Sequence, residues 1–385
     1  MILVDATPWD TLSGQYQLQP GASPSIVGQR PVLGAGRLGR LLQGQRGEQV
    51  GRTLGSVFTL CAHAHRRTAE MALMAASSNP PTALTAQASV LLWLETARDH
   101  LRSIALEWPQ RLPELAAGAP DMTWLRDCPL SLGTARPLPD ASAAWRALAS
   151  LRVWLENRIL KQDVSQWLAA QREPEALALW CKAQAPQLMP ARCLAAWHPL
   201  AHALATEMRG LDLLDDDSEL QTAQLRQLAE TLMADPDFVQ QPKWLGQCAE
   251  TGPWTRLRHR PGRATLQRSV WTRLSARWLE LMEIAAADPI TASQGKAVPL
   301  LASGSLRLGD GQALAWCEMA RGLLLHWVQL DADGAVQDYR VLAPTEWNFH
   351  PDGALAHALR ALSADDTAAA RTLAAAFDPC VACTV

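Results

Sequence analysis

Eight cysteines, at positions 61, 128, 181, 193, 248, 317, 380 and 383, are the softest metal donors in the chain. Two of them close the sequence as Cys-x-x-Cys in "FDPCVACTV", residues 377–385. That spacing aims two sulfurs at one ion from a single turn. A redox dithiol has the same spacing, but it draws thiolate character from a helix beginning at it, and only Thr384 and Val385 follow. The plain alternative is a pair of thiols in an exposed tail. A second stretch, "FTLCAHAHRRTAE" at 58–70, sets Cys61 and His65 four apart, on one face of a helix, with His63 pointing elsewhere. Alone, this reads as core packing plus a surface histidine. In "EMARGLLLHW" (318–327), Arg321 stands beside Gly322 at a strand end, where the default is a surface arginine. In "APTEWN" (343–348), Pro344 and Thr345 offer a rigid turn, a hydroxyl and backbone donors, and the default is a loop.

The rest of the 385 residues must position these groups. Hydrophobic residues make up 48% and charged residues 19%, a globular composition with enough apolar surface for a substantial core. The net charge of −3 excludes a global basic field for nucleic acid or anionic membrane. The one dense basic patch, "RLRHRPGR" at 256–263, reads as a solvated loop. "MILVDATPWD" has no basic region followed by a long apolar run, so no signal peptide is expected. "ASVLLWL" and "LAAAF" fall far short of a membrane span. Scattered cysteines without regular spacing fit a reducing cytoplasm.

Residues 1–45 are rich in Gly, Pro and Gln and are expected to form an irregular N-terminal segment. Residues 46–385 are read as one domain, mainly α with a small antiparallel β-sheet (α+β). It comprises a helical body (46–290), the sheet (298–345), and a C-terminal helix with the metal-motif tail (353–385). In the body, "QASVLLWLETARDHLRSIALEW" (87–108) puts Val90, Leu94, Ala97, Leu101 and Ile104 on one face. Segments near 143–171, 194–209, 219–233 and 266–287 repeat the pattern. "DADG" at 331–334 signals a hairpin turn.

In order and combination, the four stretches resemble the large subunit of nickel–iron hydrogenases. That family carries an N-terminal Cys-x-x-Cys ending in Cys-x-x-x-His and a C-terminal Asp-Pro-Cys-x-x-Cys. Asp378, Pro379, Cys380 and Cys383 match the second motif, and Cys61 and His65 match the latter half of the first. The Glu-Ala-Pro-Arg-Gly segment is echoed by Glu318–Gly322, with His326 for its later histidine, and Pro-Thr/Ser-x-Trp-Asn by Pro344–Asn348. "ETARDHL" (95–101) resembles the helix after the first motif. The resemblance runs from about residue 40 to the end and is strongest after 313.

The departures carry as much meaning. Phe58 occupies the place of a terminal nickel cysteine, and a phenyl ring cannot donate to nickel. Cys61 and Cys383 align with the pair that bridges nickel and iron, and Cys380 with the other terminal ligand. The Arg-x-Glu-Gly-His segment, whose glutamate passes protons, has no counterpart before Cys61. The chain stops two residues after Cys383, so no proteolytic trimming of a tail is expected. This pattern resembles the hydrogenase expression/formation scaffolds of the HupK/HoxV type, paralogues of the large subunit.

That resemblance implies a non-catalytic maturation scaffold holding Fe(CN)2(CO), without nickel, and passing it to the immature large subunit. Small maturation chaperones carrying the iron unit are the implied partners. Cys61, Cys380 and Cys383 would be the metal ligands. Arg321 would donate to one cyanide, and Thr345 with the backbone after Pro344 to the other. His65 would donate to a bridging-type sulfur. A divergent catalytic subunit, or a vestigial-site protein acting only through protein contacts, are the alternatives. A zinc site on the same sulfurs is a variant of the second. Cys128, Cys181, Cys193, Cys248 and Cys317 are expected to be mostly small buried apolar residues.

Overall fold

The computed structural model describes residues 14–34, 36–77, 86–112, 121–133, 139–173, 175–204, 206, 209–214, 217–259, 269–287 and 300–385. The β-prone C-terminal third forms an antiparallel sheet, β3 (Ser303–Gly309), β4 (Gln312–Met319), β5 (Gly322–Leu330) and β6 (Val336–Leu342), after β1 (Gln15–Leu18) and β2 (Ile26–Gln29) near the start of the chain. The hairpin between β5 and β6 closes at the expected Asp331–Gly334, where the Asp331 carboxylate accepts from the Asp333 and Ala335 amides. Alternation places Ala313, Ala315 and Cys317 in one core and Leu314 and Trp316 in another, so both sheet faces are covered.

The helices preceding the sheet are α1 (Arg37–Leu42), α2 (Glu48–Val57), α3 (Ala62–Ala76), α4 (Ala86–Arg102), α5 (Trp108–Arg111), α6 (Ala141–Trp154), α7 (Val164–Ala170), α8 (Ala176–Gln184), α9 (Met189–Ala203), α10 (Ser218–Ala234), α11 (Pro253–Leu257) and α12 (Val270–Ala286). Aspartates at 140, 163 and 217 cap α6, α7 and α10 with carboxylate-to-amide bonds. The long helix expected over 87–108 is interrupted by a π-turn at Ser103–Glu107, and a second π-turn follows α6. The C-terminal helical stretch is divided into α14 (Ala354–Arg360) and α15 (Thr367–Phe377), after the short α13 (Pro344–Asn348). No helix among the described residues is long and apolar enough to cross a membrane.

α3 lies across β3, β4 and β5. α12 is the spine of the body, contacting α4, α6, α7, α9 and α15. Its polar side is not solvated as amphipathic periodicity suggests. Arg273 pairs with Glu250, Arg277 with Asp378, and Glu280 with Arg256 and His100, all buried. Within the basic patch, the first arginine is corrected by the same contacts, while His259 is exposed. Arg256 is buried, with its guanidinium on Glu280 and on the Met319 carbonyl, and residues 260–263 lie outside the described residues. The N-terminal segment holds two strands and α1, and β1 pairs antiparallel with β2 and parallel with β7 (Ala382–Thr384). The first and last described strands thus share a sheet.

The tail is anchored by charge. Asp378, in the left-handed region at φ 43°, leaves α15 and buries its carboxylate. It accepts from Ser103 Oγ at 2.8 Å, within the π-turn, and lies 3.3 Å from Arg277 and 3.4 Å from Arg321. Arg321 also donates to the Asp378 carbonyl at 3.1 Å and to Asp99 Oδ2 at 2.9 Å. Burial pushes the Asp378 carboxyl up, but Arg277, Arg321 and the Ser103 hydroxyl outweigh it and hold the group down at about 2. Gly322, opposite Met319 where β4 turns into β5, sets Arg321 in place. Its φ is 133°, and a Cβ there would sit 2.6 Å from Thr251 Cγ2 and 2.8 Å from the Thr251 carbonyl carbon.

Gly322→Ala should therefore lower stability by about 2–3 kcal/mol, read as a reduced urea midpoint at unchanged slope. A wild-type midpoint would show that the turn can relax. Asp378→Asn leaves two buried guanidinium groups undercompensated and should cost about 3–5 kcal/mol at neutral pH. Because the folded carboxyl titrates below its unfolded value, this stabilisation is complete above about pH 4 and fades as pH falls toward 2. Acid titration followed by circular dichroism should show wild type and variant converging at low pH. A constant gap across that window would assign the loss to packing instead.

Candidate metal centre

Cys61 ends a 3-10 turn (Thr59–Cys61) and takes the N-cap position of α3, so it precedes the helix that carries His65. The first amides of α3 are capped from a distance. Glu95 on α4 accepts from His63 N at 2.7 Å and Ala64 N at 2.9 Å. Burial, with Asp99 adding, pushes Glu95 up to about 8 against the pull of those amides.

The structure brings Cys61 and Cys380 together in one cavity of about 90 Å³, whose walls include Arg30, Phe58 and Val381. Thr345 Oγ1, on the first turn of α13 opened by Pro344, lies 3.2 Å from Cys380 Sγ. Burial pushes the Cys61 thiol well above its usual range, with Cys380, Glu95 and Asp99 adding and Arg321 opposing. Arg321 is fully buried. Burial works against its charge, yet Asp378, Asp99, Glu107 and Cys380 hold it firmly protonated. The backbone and carboxylate of the tail motif therefore share a guanidinium with Asp99 of the "ETARDHL" stretch on α4.

Cys383 is placed apart. It sits in β7 beside Tyr16 of β1, its carbonyl accepts from Arg111 Nη1 at 2.9 Å, and burial raises its thiol to about 11 while Arg111 opposes. Among the described residues, no three His, Cys, Asp or Glu side chains are grouped so as to hold a metal ion. The cavity thus joins Cys61 to the aligned terminal ligand Cys380, and strand pairing turns the aligned bridging ligand, Cys383, toward Arg111.

His65 stacks on Phe58, centroids 3.9 Å apart and planes within 9°. Its Nδ1 faces His326 Nε2 at 3.0 Å, and His326 Nδ1 faces the Tyr339 hydroxyl at 2.7 Å. Burial holds both imidazoles neutral, His326 down to about 3. The polarity that uses the buried Tyr339 O–H runs from Tyr339 to His326 Nδ1, then from His326 Nε2–H to His65 Nδ1. It leaves His65 Nε2 as an N–H donor.

Sequence reading missed several members of this neighbourhood. Glu95, Asp99 and Glu346 lie inside stretches singled out for other residues. Arg30, a single arginine before Pro31 in the Gly- and Pro-rich start of the chain, gave no periodic signal. It is 5% exposed and reaches Glu346 316 positions away. Of the remaining cysteines, Cys181, Cys193 and Cys317 are buried in the core, as expected. Cys317 accepts from Thr68 at 3.1 Å, and half-buried Cys248 lies 3.3 Å from His350 Nδ1.

Comparison with known proteins agrees with this architecture. The nickel-dependent hydrogenase family model matches residues 262–385. The chain is 38% identical over 395 residues to hydrogenase expression/formation protein HoxV of Cupriavidus necator, covering 97% of this chain and 95% of HoxV. It is 29% identical to HupK of Rhizobium leguminosarum bv. viciae, covering 90% and 88%. Among solved structures, an NAD+-reducing NiFe-hydrogenase in the H2-reduced state superposes with a TM-score of 0.52 at 16% identity, over 92% of this chain and 91% of that one. A variant of the Desulfovibrio vulgaris Hildenborough NiFeSe hydrogenase gives 0.51 at 16% identity, over 92% of each chain. The fold is that of nickel–iron hydrogenase large subunits, and the chain belongs to the hydrogenase expression/formation proteins of the HoxV and HupK type.

Proposed function

We propose that this protein is a non-catalytic scaffold in nickel–iron hydrogenase maturation. It holds Fe(CN)2(CO) as cargo through cysteine thiolates and passes it to the immature large subunit. Small maturation chaperones that carry the iron unit deliver it, in the cytoplasm. The observation that carries this reading is the cavity itself. Two thiols, Cys61 and Cys380, share it with a phenyl ring, Phe58, which can ligate nothing.

The surrounding groups fit such a cargo. Soft thiolates suit low-spin iron, and cyanide nitrogens accept hydrogen bonds. Arg321 donates to one cyanide, and Thr345, whose hydroxyl is already beside Cys380, donates with the backbone after Pro344 to the other. His65 Nε2–H serves a cavity sulfur and tunes its basicity. Cys383 joins the ligand set when β7 adjusts. Capture displaces the thiol proton that burial keeps on Cys61, which limits affinity and favours handover. With Phe58 in place of a donor, a four-thiolate nickel site is not formed, so no nickel is bound.

Infrared spectroscopy and metal analysis of protein purified anaerobically with its maturation partners provide the test. Cyanide and carbonyl stretching bands with stoichiometric iron are expected in wild type, and their loss in Cys61→Ala, Cys380→Ala and Cys383→Ala. Iron-free protein without bands would remove the scaffold reading. Hydrogen oxidation by the isolated protein would replace it with a catalytic one.

A further inference from the structure

We infer that Arg30 is the cargo-selecting residue of the thiol cavity: it admits an anionic, hydrogen-bond-accepting iron unit and bars a bare divalent cation. The inference rests on the scaffold reading and deepens it.

Arg30 lines the same cavity as Cys61 and Cys380, and its guanidinium lies 5.5 Å from the Phe58 ring centroid. A single nitrogen, Nη1, spans both Glu346 oxygens at 3.2 and 3.3 Å. Arginine tied to a carboxylate commonly presents a fork of two parallel N–H groups, one oxygen each. Here Nε is outside that contact, buried, and without a hydrogen-bond partner. A buried donor left unmade is unfavourable, and native structures rarely tolerate one without a reason. An arginine serving only to tie Glu346 has no use for that geometry. One that must meet an incoming acceptor does.

The electrostatics give the sign of the selection. Glu346 pairs with Arg30 but is not among the cavity-lining residues, so the charged side chain on the cavity wall is the guanidinium, while Glu95 and Asp99 act on Cys61 from behind that wall. A bare Zn²⁺ or Ni²⁺ entering beside two thiols meets a fixed positive charge in a desolvated site. Iron(II) carrying two cyanides is neutral, and once two thiolates bind it the assembly carries two negative charges. Arg30 on the cavity wall and Arg321, whose charge also acts on Cys61, both favour such an assembly, with Nε–H of Arg30 available to a cyanide nitrogen or a sulfur.

The test uses full-length protein and four forms: wild type, Arg30→Gln, Arg30→Lys, and the double variant Arg30→Met/Glu346→Met, which replaces the buried pair by apolar groups and protects the fold. Thermal melting first confirms folding of each. Zinc uptake by metal-free protein is then measured by competition with a chromophoric chelator. Arg30→Gln and the double variant should bind Zn²⁺ on the order of tenfold tighter than wild type or more, and Arg30→Lys should stay near wild type. In protein purified with its maturation partners, the first two should lose most of the cyanide-bearing iron, and Arg30→Lys should retain it with a shifted cyanide band. Unchanged zinc affinity in both charge-removing variants overturns the inference, whatever the iron result. Retention of full iron loading in them overturns it as well. Wild type without cyanide bands is a different failure, that of the scaffold reading, and the zinc comparison then decides alone whether Arg30 is a cation barrier.

Discussion

The arrangement depends on one buried carboxylate, Asp378, held between Arg277 and Arg321. Arg321 is shared with Asp99, whereas Arg277 finds its carboxylate in Asp378, and an unpaired charge in the interior costs several kcal/mol. The tail therefore has one low-energy path out of α15. It turns at a left-handed aspartate and runs past Thr345 into the cavity. Cys380 inherits its position from this electrostatic anchor rather than from sulfur chemistry.

The same logic extends along α12. Each charged side chain on its buried polar face reaches a different, distant segment: Arg273 to Glu250, Arg277 to the tail, Glu280 to Arg256 and His100. Buried ion pairs contribute little net stability compared with well-packed apolar groups, but each is costly to mismatch. A helix carrying three of them fixes the relative register of the body, the turn before β5 and the C-terminus. Arg256 and Arg321 both report on that turn, one bonding the Met319 carbonyl and the other projecting from it.

Legibility in the sequence follows the range of the interactions. The helical stretches, the Asp331–Gly334 hairpin and the glycine after Arg321 are written in local periodicity and turn chemistry, although the helix ends and the breaks within the stretches are not. The π-turn at Ser103–Glu107 was invisible because apolar spacing continues through it, although it delivers the Ser103 hydroxyl to Asp378. Amphipathic reading assigns polar residues to solvent, so the burial of the charged side chains of α12 and of Arg256 was not legible, for a common reason: their partners lie in other segments. Arg30 with Glu346, and β1 with β7, join opposite ends of the chain, and no window of sequence contains either pair. Motif matching singled out Cys61, Cys380 and Thr345, which the structure gathers at one cavity, and Arg321, which it places on Asp378 and Asp99. It could not show that strand pairing holds Cys383 aside.

That separation has an energetic gradient. Upstream of Pro379 the tail is held by two guanidinium groups, a hydroxyl and the packing of α15. Downstream, β7 is held by three residues of parallel pairing at the edge of a short sheet, by Arg111, and by the packing of Cys383 with Val381 and Val385 against the core. Parallel pairing is the weaker kind per residue, and strands this short are marginal by themselves. Local opening is therefore far less costly at Cys383 than at Asp378. For the scaffold proposed above, which would receive and then surrender a metal unit, one fixed thiol and one able to come and go would serve. The charged anchors of the tail lie upstream of Cys380, whereas Cys383 is held by strand pairing, Arg111 and core packing.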